Sequence, residues 1–224
     1  DNNDVADVFI KDLITGEVTR VSTNASGEEV SGDSYAVGFS ADGTKVLFSS
    51  IASTLVDNDN NQKRDVFIKD LKTGEVTLVS NGTLEGFNGD SEGMAISADG
   101  TKVLFNSLAT NLSSSDENGI QDVFVKDLTT LEMIRVSSDD KGNAANGLSD
   151  GYDLSADGRQ ILFSSDASNL VANDGNRASD VFITTLAYNG GNDDVTSSVS
   201  YTLPTNVEDL SLTSTDSLSG IGND

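Results

Sequence analysis

The sequence predicts an all-β protein, a partial β-propeller of about three and a half four-stranded antiparallel blades, each of ~58 residues. Three observations predict it. The phrase D-V-F-[IV] begins at Asp7, Asp65, Asp122 and Asp180, at spacings of 58, 57 and 58 residues. A second phrase, S-A-D-G, begins at Ser40, Ser97 and Ser155, at spacings of 57 and 58. Two independent markers on one period define a repeated supersecondary unit. The strands are also near-continuous apolar runs, such as Val46-Leu47-Phe48 and Val66-Phe67-Ile68, which is the pattern of strands covered on both faces. A β-solenoid also stacks sheets, but on much shorter periods.

One unit justifies each element. Residues 93–97 (G-M-A-I-S) make a short inner strand, and Ala98-Asp99-Gly100 a tight turn in which Gly supplies the positive φ. Residues 102–107 (K-V-L-F-N-S) form the second strand. After a loop, residues 122–128 (D-V-F-V-K-D-L) form the third and 131–137 (L-E-M-I-R-V-S) the fourth. In the sister units Thr15-Gly16-Glu17 and Thr73-Gly74-Glu75 turn the last hairpin.

The chain opens on the last two strands of one blade, and further blades start near Tyr35, Gly93 and Gly151. In the last, Thr184-Thr185-Leu186 replaces K-D-L and no T-G-E turn follows, so the pattern does not define its outer strand. Ring closure takes about four to eight blades. The count therefore leaves two open sheet edges, a route to self-association. The N-terminus lacks Met and a signal peptide and opens inside a repeat. The expectation is an excerpt of a longer protein with more blades upstream; two chains completing one ring is the alternative.

Composition narrows the function classes. A hydrophobic share of 36% is low but sufficient for a layered β core. Lys+Arg 13 against Asp+Glu 37 gives a net charge of −24, which argues against nucleic acid, whose backbone needs a basic face. A cation is the natural partner, since the carboxylates repel one another. With no Cys and no His there is no disulfide, no thiol chemistry and no imidazole base or ligand. No apolar run approaches the roughly 18 residues needed to span a bilayer.

Alignment on D-V-F exposes an acidic loop. Asp1, Asp59, Asp116 and Asp174 stand six residues upstream, and Asn3, Asn61, Asn118 and Asn176 four residues upstream. Every repeat reads D-x-N-x-x-x-D-V-F, closed by Asp7, Asp65, Asp122 or Asp180, while the intervening residues vary freely. This donor set fits Ca²⁺, a hard cation taking six to eight oxygens at about 2.3–2.6 Å. The Asp and Asn at i, i+2 resemble the first half of an EF-hand loop, and a backbone carbonyl, at Lys63 or Ile120 for example, is a plausible further ligand. The later bidentate Glu of an EF-hand is missing. The competing reading is turn chemistry alone, since Asp and Asn bond their own backbone.

Other repeated residues read as structural. Asp42, Asp99 and Asp157 form the S-A-D-G turn. Asp12, Asp70 and Asp127 follow a Lys and read as blade-surface charges, or as an outer shell around a cation. Gly32-x-Ser34, Gly89-x-Ser91 and Gly147-x-Ser149 allow close backbone approach, or line the mouth of a channel.

The combined motif D-V-F-[IV]-K-D-L-x-T-G-E-V-T-x-V-S with S-A-D-G-x-x-[VI]-L-F resembles the TolB-like, WD-repeat-like propeller family over residues 1–186. The resemblance implies the fold and is nearly silent on activity. That family includes periplasmic scaffolds with shorter repeats, propellers attached to peptidases, and modules of large secreted bacterial proteins. A peptidase would need a separate hydrolase domain, which this sequence does not contain. Residues 187–224 read as a second region, a truncated β tail. It resembles the entry to the calcium-binding β-roll of RTX (hemolysin-type) proteins, with Gly191-Asn192-Asp193-Asp194-Val195 matching half of the G-G-x-G-x-D-x-U-x nonapeptide. No full nonapeptide is present, and Ser219 stands where the first Gly belongs in the closing Gly220-Ile221-Gly222-Asn223-Asp224. Val207, Leu210, Leu212 and Leu218 suit ordinary strands equally well. That resemblance implies a bacterial protein secreted by a type I system and folding on meeting extracellular Ca²⁺.

The expected function is therefore a non-catalytic, calcium-binding propeller module of a secreted protein, presenting loops to a protein or polysaccharide ligand. One alternative is a glycosidase-like hydrolase, for which Asp33, Glu85, Asp90 and Asp153 are the non-repeating acids. Another is a metal-free adhesin or interaction scaffold.

Overall fold

The computed structural model describes residues 2–186, apart from 58, 60, 83–88, 114, 115 and 117, together with the backbone of 194–197, 201–202, 209–212 and 220–221. The chain divides into two compact units, Asp1–Thr185 and Leu186–Asp224.

The first unit holds four antiparallel sheets, each a run of sequential hairpins. The first pairs β1 (Phe9–Lys11) with β2 (Val18–Arg20). The second orders β3 (Ser34–Phe39), β4 (Lys45–Ser50), β5 (Asp65–Asp70) and β6 (Val76–Leu78). The third orders β7 (Ser91–Ile96), β8 (Lys102–Ser107), β9 (Asp122–Asp127) and β10 (Met133–Arg135). The fourth has β11 (Ser149–Leu154), β12 (Gln160–Ser165) and β13 (Asp180–Thr185). The inner strand starts two residues earlier than the pattern suggests. The outer strand is shorter, because only Met133–Arg135 pairs across to β9.

Register brings the two phenylalanines of each unit face to face. Phe48 pairs with Phe67, Phe105 with Phe124 and Phe163 with Phe182, their rings stacked at 5.6, 5.7 and 5.1 Å. The D-V-F strands of the second and third sheets, β5 and β9, are packed on both sides. The Phe of β5 joins a core with the preceding sheet: Phe48 and Phe67 meet Val8 and Val21. Its Val and Ile meet the following sheet: Val66 and Ile68 lie with Val103, Phe105 and Phe124. This double cover explains the unbroken apolar runs. Among the described residues the last sheet has no such cover: Val181 and Ile183 are 69% and 72% exposed, against 0% and 4% for Val66 and Ile68.

Sheet follows sheet through repeated backbone bonds. Ser34 N donates to Ala6 O at 2.7 Å, Ser91 N to Arg64 O at 2.7 Å and Ser149 N to Gln121 O at 3.0 Å. Each inner strand carries a bulge, at Ala36/Gly38, Gly93/Ala95 and Gly151/Asp153. A Cβ at Gly93 would come within 3.3 Å of Val37 and Val66, so glycine lets the strand lie on its neighbour.

The turns account for several repeated acids. Ser40 Oγ donates to Asp42 Oδ1, which also caps Thr44 N; Asp99 and Asp157 do the same in their sheets. Asp12, Asp70 and Asp127 are hairpin caps rather than free surface charges. Each accepts two backbone amides, from Ile14 and Thr15, Lys72 and Thr73, or Thr129 and Thr130. Ser34, Ser91 and Ser149 are buried and pair with Ser50, Ser107 and Ser165, so they fasten the sheet instead of facing a channel. The glycines before them meet backbone: a Cβ at Gly32 would lie 2.6 Å from Ala52 N.

In the second unit β14 (Asp194–Ser197) pairs in parallel with β16 (Asp209–Leu212), and β15 (Tyr201–Thr202) with β17 (Gly220–Ile221). The nonapeptide match at Gly191-Asn192-Asp193 and the residues Val207, Leu218, Ser219, Gly222, Asn223 and Asp224 lie outside the described residues. Among the described residues no helix is long and apolar enough to cross a membrane.

Candidate metal-binding loops

The acidic loop enters each third strand with one local geometry. The residue after its Asn adopts positive φ in every copy: Asp4 at 55°, Gln62 at 56°, Gly119 at 62° and Arg177 at 56°. That bend lets the Asn carbonyl cap the amide two residues on. Asn61 Oδ1 accepts from Lys63 N at 2.7 Å, Asn118 from Ile120 N at 2.7 Å, Asn176 from Ala178 N at 2.8 Å and Asn3 from Val5 N at 3.4 Å. The amide end is committed too. Asn61 Nδ2 donates to Asp65 at 2.7 Å, Asn3 to Asp7 at 3.1 Å and Asn176 to Asp180 at 3.3 Å. Asn118 Nδ2 bonds Ala145 O and Asn3 Nδ2 also bonds Val30 O, both 27 residues onward. The asparagines thus do turn work in every copy, and each carbonyl keeps a second lone pair.

The strand-opening aspartates gain a partner that sequence reasoning passed over. Ser22, Ser80 and Ser137, the serines of the T-x-V-S phrase in the first two repeats and its counterpart I-R-V-S in the third, donate to Asp7, Asp65 and Asp122. Each serine also accepts the amide after that aspartate, from Val8, Val66 or Val123. Repetition of that serine on the D-V-F period was the available signal. The fourth unit has no T-x-V-S phrase after Asp180.

The upstream aspartates are placed differently. Asp59 is 2% exposed and Asp116 4%, beside Asp65 and Asp122, both 0%. Asp59 Oδ2 and Asp116 Oδ1 are buried with no hydrogen-bond partner. Burial raises the pKa of Asp59, Asp116 and Asp122. Asp65 is pushed up to about 6, first by burial and further by the charges of Asp59 and Asp90, against the bonds from Ser80 and Asn61. Each of these two loops thus sets a pair of carboxylates in one poorly solvated place. Among the described residues no three His, Cys, Asp or Glu side chains gather as one metal cluster, so two carboxylates are what a loop offers. In the fourth loop Asp174 and Asp180 are only partly buried, and Asp1 lies outside the described residues.

The acids considered for hydrolysis hold backbone, and Asp33 and Asp90, 57 residues apart, repeat one contact after all. Asp33 Oδ1 accepts from Ala6 N and Asp90 Oδ1 from Arg64 N, each at 2.9 Å across a sheet boundary, and Asp153 caps Leu154 N. Glu85 lies outside the described residues.

No protein-family model and no curated protein matches the chain. Solved structures do. One is described as a structural and mechanistic analysis of two prolyl endopeptidases; it is 15% identical, with a TM-score of 0.50, over 82% of this chain and 25% of that one. TolB from Acinetobacter baumannii is 18% identical, TM-score 0.46, over 81% of this chain and 37% of that one. The β-propeller domain of the trilobed protease from Pyrococcus furiosus is 20% identical, TM-score 0.35, over 58% of this chain and 33% of that one. The fold is a partial β-propeller. The four sheets of the first unit are its blades, and the chain spans about a quarter to over a third of the length of these solved chains.

Proposed function

We propose that this chain is a non-catalytic, calcium-binding β-propeller module of a secreted, RTX-type bacterial protein, serving as a scaffold for a protein or polysaccharide partner. One observation carries the reading: Asp59 and Asp116 each keep a buried carboxylate oxygen without a hydrogen bond, next to a second buried carboxylate. Two like charges held close together out of water are costly, and a divalent cation offsets that cost. The donors fit Ca²⁺: two carboxylates, the second lone pair of the Asn61 or Asn118 carbonyl, loop carbonyls and water. In this reading Ca²⁺ neutralises the loop, and Asp59, Asn61 and Asp65 orient around it.

The non-catalytic part rests on the engagement of Asp33, Asp90 and Asp153 by backbone amides, which gives them structural work. The RTX and secretion part rests on the resemblance of the tail, with which the parallel pairing of β14 and β16 is compatible. The uncovered Val181 and Ile183 favour either a further blade or self-association at that edge.

Thermal melting with EDTA and with millimolar CaCl₂ tests the proposal. Calcium raises the midpoint by several degrees, Mg²⁺ does not, and the combined Asp59→Ala, Asp116→Ala, Asp174→Ala variant loses the shift. An unchanged midpoint would leave the loops as turns and refute the calcium reading.

A further inference from the structure

The repeated loops are not electrostatically equivalent. In the ladder, Phe9 pairs with Arg20, Phe67 with Leu78 and Phe124 with Arg135. Arg20, Leu78 and Arg135 therefore share one register position, at the end of the outer strand beside the loop. In the first blade Arg20 Nη1 lies 3.6 Å from Asp7 Oδ2 and 2.6 Å from Glu29 Oε1. In the third blade the Arg135 charge acts on both Asp116 and Asp122. In the second blade Leu78 brings an apolar side chain and no charge. The charged groups acting on Asp65 there are Asp59 and Asp90, both negative. The nearest basic residues in sequence are directed elsewhere. Arg64 lies over the Tyr35 ring, 5.4 Å from its centroid, and Lys63 is exposed.

We infer that, among the described loops, the loop of Asp59, Asn61 and Asp65 is the divalent-cation site, while Arg20 and Arg135 are built-in counter-cations that make the first and third loops self-neutralising. This rests on the calcium reading above and narrows it from a repeated site to one. A guanidinium fixed beside a carboxylate pair supplies the charge that a metal would bring, and it opposes entry of a second cation by direct repulsion. The fourth loop lacks the driving force, because Asp174 and Asp180 are partly solvated. The second loop alone combines a buried carboxylate pair, an unpartnered Asp59 oxygen and no resident cation.

Calorimetric titration of the full chain with CaCl₂, variant by variant, tests this. Asp59→Asn removes one equivalent of bound calcium, whereas Asp7→Asn and Asp116→Asn remove none. Leu78→Arg abolishes that equivalent, and Leu78→Met, as a packing control, keeps it. Arg135→Leu adds one equivalent, which Asp116→Asn then removes. Circular dichroism confirms that each variant is folded. Loss of an equivalent on Asp7→Asn or Asp116→Asn, or retention in folded Leu78→Arg, overturns the inference while leaving calcium binding intact. No calcium bound by any variant overturns both.

Discussion

Lys69 reaches out of its own blade to Thr23 of the blade before it, at 3.1 Å to both the carbonyl and the hydroxyl oxygen, and to Asn24 O at 2.9 Å. The side chain is buried, and burial lowers its pKa, yet all three donors of the ammonium have oxygen acceptors. Lys126 repeats the contact more weakly, to Asn81 O at 3.5 Å. The lysine of K-D-L is thus a bolt between blades. Lys69→Met strands three acceptors and costs about 1–3 kcal/mol. Lys11→Met, at the exposed counterpart in the first blade, changes stability by no more than about 0.5 kcal/mol. Urea unfolding of the two variants checks the contrast.

Leu131 stands where the sister hairpins have Gly16 and Gly74. Its φ is 63°, against 78° and 79° for the glycines. A side chain in the left-handed region costs about 1–2 kcal/mol, and Leu131 is exposed, with little packing to offset it. Leu131→Gly therefore stabilises the protein by about 1 kcal/mol, a rise of about 2–4 °C in melting temperature. Gly74→Leu lowers it.

Ser80 joins two groups at once, donating to Asp65 at 2.6 Å and accepting from Val66 N at 3.1 Å. Ser80→Ala removes both bonds in a buried place and destabilises by about 2–3 kcal/mol in EDTA. Denaturant titration measures it; a loss below about 0.5 kcal/mol would mean that water replaces the hydroxyl.

Acid removes a stabilising charge from the first S-A-D-G turn. Asp42 is held down to about 2, from an ordinary 3.8, by the Ser40 hydroxyl and then the Thr44 amide. A depressed carboxylate contributes stability that is complete above its unfolded value and lost as pH falls through the folded one. The window is therefore pH 3.8 down to about 2. Melting in that range separates wild type from Asp42→Ala, and their difference shrinks as the pH approaches 2.

The repeat was legible because it is written in residue types. D-V-F and S-A-D-G mark strands and turns, and their 57–58-residue spacing required a stack of similar sheets. The asparagines of the acidic loop were legible as turn or ligand but not as which, since both uses need the same side chain in the same bend. The fold shows the turn use, by bringing Lys63 N and Asp65 against the two ends of Asn61, and that use leaves the carbonyl a second lone pair.

Sequence by itself determined the β class, the period, the acidic charge and the exclusion of thiol and imidazole chemistry, because these follow from composition and local pattern. Tertiary structure decided which carboxylates lose water and which find a counter-charge. Asp7 and Asp65 sit in the same motif, yet Asp7 lies beside Arg20, whereas Leu78 takes that register position in the sheet of Asp65, 13 residues downstream in each case. That distinction exists only once strand register sets the outer strand against the loop, since electrostatic energy depends on distance and burial.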